Sequence, residues 1–138
     1  MNPRIAGFLL LILAARGWAQ PPGEDPIARN VFPPELVMKY SQEIGLDDRQ
    51  RAAIKDHVQG VQSKFLDAQW NLQEESQKLV RLLQAQPVNE SAVLAEVDKV
   101  LALEREIKRA QISLLVKIKN LLSEPQQAKL LELRKRTE

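Results

Sequence analysis

Gln86-Pro87-Val88-Asn89 is the stretch whose reading decides the fold, because it interrupts two long runs of helically spaced apolar residues. Before it, Ile54, Val58, Val61, Phe65, Ala68 and Leu72 recur in alternating steps of four and three. The stripe continues through Ser76 to Leu79 and Leu83 with one extra step of four, a stutter that relaxes any supercoil locally. After it, Val93, Val97, Val100, Leu103, Ile107, Ala110, Leu114, Ile118 and Leu121 form a second stripe. This spacing keeps side chains on one face of a helix. Pro87 lacks the N–H that a helix interior needs. Asn89 can cap the helix that follows, with Glu90 in its first turn. So short a connection leaves the two helices antiparallel neighbours. The fold class that follows is all-α: a long antiparallel helical hairpin.

Working outward, the hairpin starts and ends on two related elements, Leu46-Asp47-Asp48-Arg49-Gln50 and Leu122-Ser123-Glu124-Pro125-Gln126. Asp47 and Ser123 can accept from free N–H groups of the helices they open, and Gln50 and Gln126, three residues on, can reach back. Read as chemistry, both elements are caps. Pro125 falls in a first turn, where it is tolerated. Short helices then flank the hairpin, giving helices at about 34–44, 48–85, 90–121 and 124–136. Pro34 suits a first helical turn, and Gly45 suits the left-handed position that stops a helix. Gly60 lies inside the second helix, where it marks a bend, a close helix approach or a tolerated glycine. Residues 20–33, with Pro21, Pro22, Gly23 and Pro26, read as a mobile stretch ahead of the helical domain at 34–136.

The first 19 residues read as a secretory signal. Arg4 precedes the apolar run Ile5 to Ala15, and Gly17-Trp18-Ala19 supplies the small residues of a cleavage site. The run is shorter than the roughly 20 residues of a membrane span, so the expectation is cleavage after Ala19, export to the periplasm and no span afterwards. Retention as an anchor is the alternative. Cleavage removes Arg4 and Arg16, so the 20 basic residues become 18, against 18 acidic ones. The exported chain is then near neutral, and nucleic-acid binding loses its electrostatic basis. With no cysteine there is no disulfide framework. A thin hairpin has little interior, which favours a homodimer as a way to bury more apolar surface.

Catalytic chemistry is poorly supplied. The chain has one histidine, His57, no cysteine and no phosphate-binding glycine loop. Its carboxylates alternate with Lys and Arg at helical spacing, as on a solvated helix face. The expectation is no enzyme and no cofactor. Asp56 and His57 are the candidate ligands for a weakly held divalent metal, completed by a carboxylate of a neighbouring helix or a second chain. The third helix carries a second apolar row, Leu94, Leu101 and Leu115, so its apolar face is wider than a two-helix seam needs. With Phe65 and Trp70, these leucines are the candidate surface for a client or partner.

Taken together, the two Leu-x-x-x-Gln elements in an exported, cysteine-free helical chain resemble the Leu-Thr-x-x-Gln motifs of the Spy/CpxP/ZraP superfamily of periplasmic proteins. Within it the chain looks closest to the heavy-metal resistance and sensor branch, over Phe32 to Arg134. Leu46 and Gln50 match the first motif, with Asp47 in place of Thr; Leu122 and Gln126 match the second, with Ser123 in place of Thr. The resemblance implies a bent, usually dimeric α-hairpin that acts as a chaperone, as a regulator of an envelope-stress sensor or as a metal sensor. The family's metal sites are richer in histidine or acidic clusters than this chain is. The reading that follows is a stress-response binding protein, chaperone-like or regulatory, whose partners are unfolded or envelope proteins or a membrane-bound sensor. The alternative is a heavy-metal sensor that binds a divalent metal and signals to a membrane partner.

Overall fold

A computed structural model describes residues 25–137, and every described element is helical. The leader expected at 1–19 lies outside the described residues. The chain divides into two units, the first ending at Val31 and the second starting at Phe32. In the first unit, α1 is the single turn Pro26–Arg29. Asp25 caps it, accepting from the Ile27 N–H at 2.9 Å, and none of its residues is buried. A turn of ordered helix therefore stands inside the stretch that composition marks as mobile.

The second unit holds α2 (Pro34–Lys39), α3 (Asp48–Leu83), α4 (Glu90–Leu121) and α5 (Glu124–Lys135). The long helices α3 and α4 pack against each other as the hairpin. Their boundaries lie within two residues of the sequence expectation, and those of α4 coincide with it. The first flanking helix is shorter than expected. It ends at Lys39, and the chain tightens into turns through Gly45, where the Leu46 N–H donates to the Ser41 carbonyl at 2.8 Å. Gly45 has φ of 65°, the left-handed conformation that glycine adopts without strain. A Cβ at Gly60 would meet nothing within 4 Å, so no close helix approach requires that glycine.

Burial is concentrated at the base of the hairpin. Phe32, Val37, Ile44, Leu46, Ile54, Ile118, Leu122, Leu130 and Leu133 form one core there. Phe32, in the stretch read from composition as mobile, is fully inside it, and the Arg134 guanidinium lies over its ring at 5.2 Å. Here the short helices and the turns cover the seam from outside, so a side chain meets neighbours on all sides.

Further out, among the described residues, only α3 and α4 are present. On α3 no residue between Ile54 and Leu79 is buried, and on α4 none between Val100 and Ile118. At roughly 1.5 Å per residue that is about 37 Å of α3 and about 27 Å of α4. The stripe residues Phe65, Ala68, Leu72, Leu103 and Ile107 are all half-buried, and Leu114, also half-buried, packs against the base core. Along this middle stretch a side chain is covered by the opposite helix alone and solvent reaches its flank, whereas Leu79, Glu96 and Val100 nearer the tip are buried. Among the described residues no helix is long and apolar enough to cross a membrane.

Candidate functional site

The two Leu-x-x-x-Gln elements meet at the base. Each forms a full capping box. The Gln50 N–H donates to Asp47 Oδ1 at 2.7 Å and the Asp47 N–H to Gln50 Oε1 at 3.1 Å. At the second element the Gln126 N–H donates to Ser123 Oγ at 3.3 Å and the Ser123 N–H to Gln126 Oε1 at 2.9 Å. Reading them as caps is therefore right but incomplete. Gln50 Nε2 donates to Gln126 Oε1 at 2.7 Å, and Gln126 Nε2 returns a bond to Gln50 Oε1 at 3.0 Å.

Each amide also reaches the carbonyl just ahead of the other element's leucine. Gln50 Nε2 donates to Leu121 O at 2.8 Å, and Gln126 Nε2 to Gly45 O at 3.3 Å. Leu46 and Leu122 are themselves buried in the core. The elements thus form a reciprocal clasp with approximate two-fold character, which ties the start of α3 to the start of α5. Its chemistry is positional.

His57 is half-buried on α3 and Asp56 beside it is exposed. Consecutive residues point to different sides of a helix. Among the described residues no group of three or more His, Cys, Asp or Glu is placed to hold a metal ion. The neighbouring-helix carboxylate that would complete a site at His57 is therefore not supplied within the described part of one chain.

The candidate contact residues divide. Trp70, Leu94 and Leu101 are 62, 53 and 55% exposed, whereas Phe65 and Leu115 are half-buried along the open part of the seam. Neither Phe65 nor Leu115 belongs to the base core or to the residues packed against it. Leu66 is exposed as well, one turn before Trp70.

Two residues were missed by sequence reasoning. Glu75 and Glu96 read as members of a solvated charged face, yet Glu96 is buried and Glu75 half-buried. A signal for them exists in the sequence. Glu75 stands three residues after Leu72 and four before Leu79, and Glu96 three after Val93 and four before Val100. Both therefore occupy seam positions.

A helical hairpin with short flanking helices, closed at its base and open along its length, is the architecture these residues define. The chain belongs to the heavy-metal resistance family, whose model matches residues 4–129, and that family lies within the Spy/CpxP-like helical superfamily. No curated protein and no solved structure matches the chain. Of the two functional readings open to the sequence, the family match supports the metal-linked one over the chaperone-like one. The donors set out above do not amount to a complete transition-metal site, which takes three or four ligands rich in imidazole or thiolate.

Proposed function

We propose that this is an exported, homodimeric heavy-metal resistance protein of the sensor type, which acts by binding and not by catalytic turnover. The observation that carries this reading is the family match over residues 4–129. The leader-like N-terminus supports export to the periplasm. The open seam supports the dimer, as does the charge along α4. Its first half carries Glu90, Glu96, Asp98, Glu104 and Glu106 against Lys99 and Arg105, while residues 107–121 carry Lys108, Arg109, Lys117 and Lys119 with no acid. A second copy laid antiparallel on this helix brings opposite charges together. His57 is the donor one chain offers a divalent metal, and the second chain supplies the rest. A membrane-bound sensor is the partner. The test is calorimetry of the purified protein with zinc, nickel, cobalt and copper, on wild type and His57→Ala. Heat of binding in the wild type that is lost in the variant is the expected result. No binding of any of the four metals would overturn metal sensing, and binding untouched by the substitution would remove His57 as a ligand.

A chaperone-like reading is favoured by one specific observation, the exposure of Trp70, Leu94 and Leu101 beside a seam that one chain leaves uncovered. Exposed large apolar side chains of this kind can hold partly unfolded chains. Suppression of aggregation of a denatured client is its test, and no suppression at several-fold molar excess removes it.

A further inference from the structure

Toward the tip of the hairpin the seam is not wholly apolar. Glu75 of α3 and Glu96 of α4 interact side chain to side chain across it. Glu96 is 6% exposed, and the Glu75 side chain 18%. Each carboxylate commits one oxygen to the lysine three residues further along its own helix. Lys78 Nζ donates to Glu75 Oε1 at 2.6 Å, and Lys99 Nζ to Glu96 Oε2 at 3.3 Å. The other two oxygens, Glu75 Oε2 and Glu96 Oε1, are buried without a hydrogen-bond partner. Two buried anionic oxygens brought together with no donor are strongly unfavourable, and a single proton between them removes both the repulsion and the missing bond.

We propose that Glu75 and Glu96 share one proton, forming a carboxyl–carboxylate clasp that holds the tip half of the hairpin closed and releases it when the proton leaves. The bond is O–H···O, with the Glu96 carboxyl donating to the Glu75 carboxylate, and release passes the proton to water. The Glu75 carboxyl is held below its ordinary value, first by its hydrogen bond with Glu96 and then by the one from Lys78, as an acceptor of that bond should be. The charged groups at this place are Glu74, Glu75 and Lys78 from α3 and Glu96 and Lys99 from α4. With one shared proton the five groups are neutral together, and without it they carry one net negative charge.

Loss of the proton leaves two carboxylates face to face in the seam. Leu79 and Val100, the buried apolar residues of this half, lie one turn beyond the two glutamates. Opening adds them to the apolar surface that is already uncovered, so the device sets how much of that surface a partner meets at a given pH.

The experiment is a carbon-detected NMR titration of the glutamate carboxyls in the purified protein, with amide hydrogen exchange over residues 72–83 and 93–104. In the wild type one proton of the pair is released at higher pH than that of solvent-exposed glutamates in the same chain. At that step protection of both segments falls at least tenfold after correction for base-catalysed exchange. Glu96→Gln supplies an N–H donor at every pH and abolishes the step while keeping protection. Glu75→Gln offers the same repair from the other helix and serves if the first variant does not fold. Release of both carboxyl protons together with those of exposed glutamates would overturn the proposal, as would an unchanged step in a folded amide variant. Neither readout involves a metal or a client, so failure here leaves the functional reading standing.

Discussion

The glutamine clasp offers a direct test of how the two motif elements work. If Gln50 and Gln126 were only reach-back caps, replacing both would cost the sum of the two single replacements. The structure says otherwise, because two of the bonds are shared. Gln126→Ala removes the reciprocal pair at 2.7 and 3.0 Å, the bond to Gly45 O and the reach-back bond from the Ser123 N–H. Gln50→Ala removes the same pair, the bond to Leu121 O and the reach-back bond from the Asp47 N–H. At a net value of about 1 kcal/mol per bond, lessened where solvent can replace the partner, each single variant loses roughly 2–3 kcal/mol. The double variant counts the reciprocal pair once and loses roughly 3–4 kcal/mol. The coupling energy is then about 1–2 kcal/mol.

Urea unfolding followed by far-UV circular dichroism, on the four proteins of the cycle, reads these differences directly. A control cycle on Asp47→Ala and Ser123→Ala should be additive, since the cap bonds of those side chains are local. Each loses about 1 kcal/mol. Additivity of the glutamine replacements within about 0.5 kcal/mol would refute the clasp and return both residues to independent capping.

Core and seam should respond differently to truncation. Ile118→Ala, at a fully buried position, is expected to cost about 2–5 kcal/mol in chemical denaturation, whereas Leu101→Ala at 55% exposure should stay within about 0.5 kcal/mol under dilute, monomeric conditions. Gly45→Ala should lose about 1 kcal/mol through its φ of 65° alone, because an added Cβ meets nothing within 4 Å, and Gly45→Asn should recover part of the loss. Glu75, whose value is lowered first by its hydrogen bond with Glu96 and then by that from Lys78, sets a pH dependence together with Lys78. The lowered Glu75 value means that its contribution is present above the ordinary glutamate value of 4.5 and is lost as pH falls through the folded value. The raised Lys78 value means a contribution present below 10.5 and lost as pH rises through the folded value. Thermal melts of wild type and Lys78→Met across acid and alkaline pH should differ least at the two extremes.

The hairpin was legible because its signals are local and mutually consistent. The apolar period persists on both sides of Pro87, and Asn89, Asp47 and Ser123 each cap the helix that the period requires. The first flanking helix was less so. Its apolar residues continue past Lys39 at spacings a helix would allow, but Gly45 imposes a terminating turn whose bonds begin several residues earlier. Phe32 was misplaced for a related reason. Its prolines and glycine make the surrounding stretch look mobile, whereas the pull on the ring comes from Leu130, Leu133 and Arg134, about a hundred residues away in the chain.

What the sequence determined by itself was the helices, their caps and their antiparallel order, since each rests on interactions within a few residues. Tertiary structure decided which apolar and polar groups are actually covered. At the base, burial rests on short helices that add neighbours outside the seam, whereas toward the tip, among the described residues, the two long helices alone bury Leu79, Glu96 and Val100. Dependence on a third body makes Leu46 and Leu122 core residues, joins two caps into one clasp and leaves Leu94 and Leu101 in solvent, while the pairing of the two long helices brings Glu75 and Glu96 together. A one-dimensional pattern records which face of a helix a residue occupies; what stands opposite that face is set by the packing of segments far apart in the chain.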